Sequence, residues 1–306
     1  SFAQQQGKVW RIGFLGATSA QGYALQLDAL RAGLRELGYV EGKNIVFEWR
    51  FADMNYDRLP ALAAELVRLN VDVIVTHGTP GSRAAKQATT TIPIVMAAIG
   101  DAVAAGIITS LARPGGNITG TTFFNPELAA KRLEIIRDAI PRARRVAVLF
   151  NAANPLMATI LEAMEQTAKA LKLELQRFPV RAVEEFDGAF SAMAAKRADA
   201  FTTSEDPMII ANVKTLADLT AKRRLPSISF PEFANAGGLL GFGVSIPGMF
   251  HRAAYFVDKI LKGAKAGDIP VERSSKFEIV VNLKTAKLLG IKLPDLVMQR
   301  TDRVIE

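Results

Sequence analysis

The chain runs through one α/β pattern twice, and that duplication constrains what it can fold into. Strand-like apolar runs alternate with amphipathic helical stretches from Val9 to about Gly120, and again from Arg145 to about Ser245. The first pass closes on Ile92-Pro93-Ile94-Val95-Met96 and then the glycine-rich Pro114-Gly115-Gly116-Asn117-Ile118-Thr119-Gly120. The second closes on Leu225-Pro226-Ser227-Ile228-Ser229-Phe230 and then Gly237-Gly238-Leu239-Leu240-Gly241-Phe242-Gly243. Strands separated by helices at this spacing pair in parallel through right-handed crossovers. The expected fold class is therefore α/β, with two doubly wound parallel-sheet lobes. Two similar lobes in one chain predict a cleft between them where a small ligand binds. At 306 residues there is enough chain for two cores.

Local signals place the elements. In the first pass residues 9–16, 45–52, 71–76 and 92–99 read as strands. Tyr23, Leu27, Leu30, Leu34 and Leu37 fall on one helical face, and Gly38 stops that helix. Residues 59–69 form the next helix, Thr79-Pro80 opens a third as N-cap and first-turn proline, and Asp101 caps a fourth. The second pass gives strands 146–151, 173–180 and 198–203. Asn154-Pro155 caps a helix reaching Leu171, and Asp206-Pro207 opens one running to about Arg223. The tail belongs to neither repeat. It has a helix with Ala253, Phe256, Val257, Ile260 and Leu261 on one stripe, a strand at 276–282 and a helix at 284–289, and is expected to pack on both lobes.

Composition excludes several function classes. There is no cysteine, so no disulfide, thiol nucleophile or thiolate metal site. The net charge of +8 raises nucleic acid as a partner. The basic residues are scattered, however, with short clusters only at Arg142, Arg144, Arg145 and at Lys222-Arg223-Arg224, and no reading motif accompanies them. No nucleic-acid partner is expected. The longest apolar runs fall short of a membrane span. The polar opening Ser1-Phe2-Ala3-Gln4-Gln5-Gln6 reads as the mature end of an exported protein, leaving open a cytoplasmic protein that has lost its methionine. His77 and His251, the two histidines, lie in different regions, and no Ser-His-Asp order, HExxH or GxSxG occurs. Neither a GxGxxG nor a GxxxxGK[ST] loop is present. No enzyme activity, metal or cofactor is expected. Asn117-Ile118-Thr119 matches a glycosylation sequon.

In doubly wound sheets ligands bind beyond the carboxyl ends of the strands. Those ends fall at 17–22, 77–82, 98–101, 151–154, 202–206 and 230–233. They supply Thr18, Ser19, Tyr23, His77, Asp101, Asn154, Glu205, Asp206, Phe230 and Glu232 as candidate ligand-binding residues. The Thr79-Pro80-Gly81-Ser82 turn suits an anion: backbone N–H groups at a helix start face it, Gly81 allows close approach, and Thr79 and Ser82 add hydroxyls. A ligand carboxylate is the natural occupant. Glu205 and Asp206 suit a ligand ammonium or hydroxyl, unless Asp206 is merely a cap and Glu205 solvated. Tyr23, Phe123, Phe230 and Phe242 offer ring faces to an apolar or aromatic ligand, or else serve the core.

Several segments resemble a known family. Thr76-His77-Gly78-Thr79-Pro80, Ile92-Pro93-Ile94-Val95 with Gly100-Asp101-Ala102-Val103, and Arg113-Pro114-Gly115-Gly116-Asn117-Ile118-Thr119-Gly120 are similar to substrate-binding subunits of ABC importers, in the group that includes tryptophan- and tyrosine-type binders. Phe277-Glu278-Ile279-Val280-Val281-Asn282 and the closing Asp302-Arg303-Val304-Ile305-Glu306 resemble that group's proteobacterial members. The resemblance implies a type I periplasmic-binding fold with crossovers near 121–124, 243–246 and 278–282. The N-terminal lobe would then be 1–121 with 246–278, and the C-terminal lobe 122–245 with 279–306. It further implies a periplasmic location, a closing motion around one small ligand, a monomer, and an ABC permease in the inner membrane as partner. The Thr79–Ser82 turn falls where such proteins commonly hold a ligand carboxylate. His77 departs from many relatives, which carry a small residue there. The expected function is capture of an amino acid or aromatic acid. The alternatives are a sensory or regulatory module of the same fold, or an α/β enzyme.

Overall fold

The computed structural model describes residues 8–306. The opening segment 1–6, read above as a mature exported end, lies outside the described residues. The chain then forms β1 (Trp10–Gly16), α1 (Ala24–Glu36), β2 (Ile45–Phe51), α2 (Leu59–Arg68), β3 (Val73–His77), α3 (Gly78–Ala88), β4 (Ile94–Ile99) and β5 (Ile118–Thr122). It continues with α4 (Asn125–Ala139), β6 (Arg145–Asn151), α5 (Met157–Ala170), β7 (Glu174–Val180), α6 (Phe186–Ala195), β8 (Ala200–Thr203), α7 (Pro207–Ala211), α8 (Val213–Lys222), β9 (Ser227–Ser229), α9 (Pro231–Asn235) and β10 (Leu240–Gly243). The tail carries α10 (Ile246–Leu261), β11 (Glu272–Arg273), β12 (Glu278–Asn282), α11 (Leu283–Leu289), α12 (Asp295–Gln299) and β13 (Arg303–Ile305).

These elements form two compact units. One comprises the chain up to Thr122 with Ile246–Arg273, the other Phe123–Ser245 with Ser274–Glu306. The first unit's sheet has the order β11-β5-β4-β3-β1-β2, and every pair in it is parallel. The second has the order β13-β12-β10-β9-β8-β6-β7, with β10 and β12 antiparallel. Stripped of the tail strands, both sheets read second-first-third-fourth-fifth along their own pass. The repeat in the sequence is thus a repeat of topology, and each sheet is doubly wound as expected.

Alternation along the strands directs the packing. In the first unit Leu15, Ile74 and Met96 share a core with Leu59, Leu62 and Leu66 of α2 and with Ala84 and Ala85 of α3. Phe14 points the other way, to the α1 and α10 side, with Tyr23 and Phe250 at ring distances of 5.3 and 6.3 Å. Of the predicted α1 stripe, Leu27, Leu30 and Leu34 are buried. Leu37 is not, because the helix ends at Glu36 and the chain turns left-handed at Gly38. In the second unit Phe190 and Phe201 stack at 5.1 Å, and Phe233 adds a ring on Phe201 at 6.1 Å.

Several local expectations need correction. α4 was not legible because its apolar stripe is interrupted by a buried arginine, Arg132. The helix expected from Asp206 to about Arg223 is broken at Asn212 into α7 and α8. The predicted helix after Asp101 is a turn, in which the Asp101 carboxylate accepts N–H groups of Val103 and Ala104 at 3.0 and 2.9 Å. The segment 278–282 is not a crossover but β12, paired within the second unit's sheet. The Asn117 side chain donates to the carbonyls of Thr89 and Ile92 at 3.1 and 2.7 Å, an internal tie rather than a display of the sequon.

Candidate functional site

The carboxyl ends of β1, β3 and β4 gather the first unit's candidates. Register places Leu15 beside Thr76, so the residues after β1 run alongside the start of α3. β3 ends on the extended His77, and Gly78, at φ 71°, turns the chain directly into α3. That φ favours glycine. Opposite, β4 gains a residue between Met96 and Ala98, a bulge beside the strand end. The result is a helix start made of buried residues, Gly78, Thr79, Pro80, Gly81 and Ser82, with no side chain capping it. Its first N–H groups lack helical acceptors and carry the positive end of the dipole. Thr79 is not the N-cap that its Thr-Pro signature predicts: the helix begins one residue earlier, at the glycine. Ser82 donates its hydroxyl proton to the Gly78 carbonyl at 2.8 Å.

Two further groups complete this end. Thr18 is fully buried, and its Oγ1 has no hydrogen-bond partner, an arrangement that costs about 1–3 kcal/mol when nothing fills it. Tyr23 accepts the Ala17 N–H at 3.1 Å, and its hydroxyl lies 3.2 Å from His77 Nδ1. Phe250 stands edge-on to the imidazole, 5.3 Å between centroids. Burial pushes His77 from 6.5 down to about 3, so it is a neutral polar group at physiological pH. Ser19 is half-buried and spends its oxygen accepting Gly22 N–H at 3.1 Å.

In the second unit the ends of β6 and β8 meet. Asp206 caps α7 through Met208 N–H at 3.0 Å, as its Asp-Pro signature predicts. Its carboxylate also accepts the side-chain amides of Asn151 at 3.1 Å and Asn154 at 3.0 Å, which hold it in one orientation. Asn154 does not cap α5, which starts at Met157; its Oδ1 accepts Leu156 N–H at 3.0 Å, closing a turn ahead of the helix. Glu205 is neither solvated nor open to a ligand ammonium. Both of its carboxylate oxygens are engaged by the guanidinium of Arg132, and both side chains are buried. Phe230 is wholly buried at the α9 N-cap, Glu232 is half-buried in that helix's first turn, and Phe123 is buried just after β5. The structure thus brings Thr18, Tyr23, His77, Thr79 and Ser82 to one unit's strand ends, and Asn154, Glu205 and Asp206 to the other's.

The model of the family described as ABC transporter substrate binding protein matches residues 12–305. The chain belongs to that family. Family members of this kind are solute-binding components that work with ABC permeases, and they are not enzymes. A curated relative, the tyrosine-binding protein of Clostridioides difficile strain R20291, is 27% identical over 271 residues, covering 87% of this chain and 78% of the relative. An ABC domain from Streptococcus pneumonia, solved in complex with L-Trp, is 26% identical with a TM-score of 0.88, covering 97% of this chain and 100% of that one. A conserved domain protein from Vibrio cholerae shares the fold at a TM-score of 0.89 and 24% identity, covering 97% and 100%. The family resemblance and the type I periplasmic-binding fold expected from the sequence are both borne out. Among the described residues of this substrate-binding protein, no helix is long and apolar enough to cross a membrane.

Two participants escaped the sequence reading, and a third was named only as part of the strand end 151–154. Asn151, the last residue of β6, is indistinguishable in sequence from any strand-end asparagine. Phe250 sits inside the α10 stripe and reads as core. Arg132 lies far along the chain from Glu205, and an arginine on a helix ordinarily reads as solvated.

Proposed function

We propose that this substrate-binding protein captures an amino acid with an apolar or aromatic side chain and delivers it to an ABC importer's permease. The observations that carry the reading are the buried start of α3, which no side chain caps, and the unpartnered Thr18 hydroxyl just after β1. Such a helix start accepts a carboxylate. Asp206, aimed by Asn151 and Asn154, is the complementary group for the ligand's ammonium. Glu205 leaves the proposed ligand set because Arg132 already occupies it. The ligands named for two relatives above, tyrosine and L-Trp, are consistent with this charge pattern. Capture by closure of the two units around the ligand, and residence in the periplasm, belong to the same proposal.

Calorimetry with L-tyrosine, L-tryptophan and their deamino analogues tests it. Binding of an amino acid, at least about tenfold tighter than its deamino analogue, is the expected result; the missing ammonium removes a charge-assisted hydrogen bond of about 1.5–3 kcal/mol. Equal affinity for both would sink Asp206 as the ammonium partner. Silence from all four would overturn the ligand class.

A further inference from the structure

We infer that Arg132 is a positioning residue for ligand capture, setting the loop that carries Asp206 and tying two chain crossings to it. The inference rests on the proposed role of Asp206. Arg132 is fully buried on α4 and spends its guanidinium on three partners. Nε and Nη2 donate to the Phe242 carbonyl at 2.9 and 2.8 Å. Nη1 donates to the Thr203 carbonyl at 3.3 Å and to Glu205 Oε2 at 3.0 Å, while Nη2 pairs with Glu205 Oε1. The planar fork is matched on every side, which lysine cannot reproduce.

The three partners are not equivalent. Thr203 ends β8, and Glu205 precedes Asp206 directly, so the guanidinium fixes the strand end and the loop that aims Asp206. Phe242 and Gly243 end β10, two residues before the chain leaves this unit at 245/246. Gly243 has φ 153°, and a Cβ there would lie 3.0 Å from Arg132 Nη2 and 3.4 Å from Glu205 Oε1, so the backbone is drawn in against the pair. The other crossing, at 122/123, is held from the same place: the Asn125 side chain donates to the Glu205 carbonyl at 3.0 Å. Between them Phe124 is left-handed, at φ 55° and ψ 62°, a conformation a non-glycine residue holds only when its surroundings enforce it. One buried ion pair thus fastens the Asp206 loop and the second-unit ends of two crossings together.

A buried pair that merely stabilised the unit would, when weakened, lower the melting temperature and leave ligand binding unchanged. A positioning pair also alters binding. The test uses Arg132→Lys and Glu205→Gln, with the double variant Arg132→Met/Glu205→Met retained because removing both buried charges together spares the fold more than removing one. Each is compared with the parent for L-tyrosine and L-tryptophan affinity, well below its melting temperature, and for amide exchange without ligand at 123–126 and 242–245. The expected result is a loss of affinity of about tenfold or more in Arg132→Lys, seen mainly as faster dissociation, with faster exchange at both segments together. Affinity within about twofold of the parent in every folded variant, or faster exchange at one segment only, would overturn the inference. If the parent binds neither amino acid, the functional reading fails, and the exchange measurement alone decides whether the pair couples the two crossings.

Discussion

The Tyr23 hydroxyl stands 3.2 Å from Nδ1 of His77 while accepting the Ala17 N–H at 3.1 Å, so two side chains join the ends of β1 and β3. Tyr23 is itself buried against Phe14 and Phe250. The imidazole is therefore held away from water in an aromatic setting, which favours its neutral form.

That setting has a pH signature. His77 protonates near 6.5 when unfolded and only near 3 when folded, so unfolding takes up a proton across that window and stability falls as the pH drops through it. Relative to His77→Phe, the parent should lose up to about 1.4 kcal/mol of stability per pH unit between about pH 6 and 4. Urea unfolding of both proteins at several pH values measures this. A constant difference would mean that the imidazole charges while buried.

Thr18→Val should act with opposite signs on stability and binding. Valine keeps the shape and removes a buried hydroxyl that has no partner, so the unliganded protein should be more stable, by about 1–3 kcal/mol. Affinity for the amino acid should fall severalfold, because the hydroxyl's proposed partner is the ligand. Thermal melts with and without ligand separate the two effects. Lower stability with unchanged affinity would remove Thr18 from the site.

Gly33→Ala sets helix propensity against packing. An alanine inside α1 gains about 1 kcal/mol of intrinsic helix preference. Its Cβ, however, would lie 2.5 Å from the His251 carbonyl oxygen and 2.9 Å from Ala254 Cβ on α10. Overpacking costs about 1–3 kcal/mol, so a net loss of stability is expected by denaturant unfolding.

Tyr39 should ionise late. Burial, and then its hydrogen bond to Asp258 at 3.0 Å, push it from 10.0 up to about 12. Its contribution to stability is complete below 10 and is lost as the pH rises through about 12. Tyrosinate absorbance should show a phenol titrating near 12 that Tyr39→Phe removes, and Asp258→Asn should bring it down.

Much of this was readable in the sequence. The strands of both passes, the Gly38 stop and the Asp206 cap depend on contacts within a few residues, and short-range contacts leave short-range patterns. The turn at 79–82, proposed above as the carboxylate site, was legible for the same reason, since a strand running into a glycine-bearing helix start is a local geometry. The details failed where one residue had two local options. Thr79 and Asn154 both precede proline, yet the helix starts earlier in one case and later in the other, because Gly78 supplies the left-handed turn and Asn154 is drawn off to Asp206.

The sequence alone determined two doubly wound sheets, the strands that build them and the strand-end segments proposed for the ligand. Only the tertiary structure decided which polar side chains are still available there. Glu205 and Asp206 look alike in the sequence, but α4 brings Arg132 to Glu205 across 73 positions of chain and engages both of its oxygens. Thr18 looks like any loop threonine, and it is the fold that buries its hydroxyl without a partner. Hydrophobic periodicity is a property of neighbouring residues and survives in one dimension. The pairing of a buried charge or hydroxyl depends on what the fold carries to it from elsewhere, and no local pattern records that.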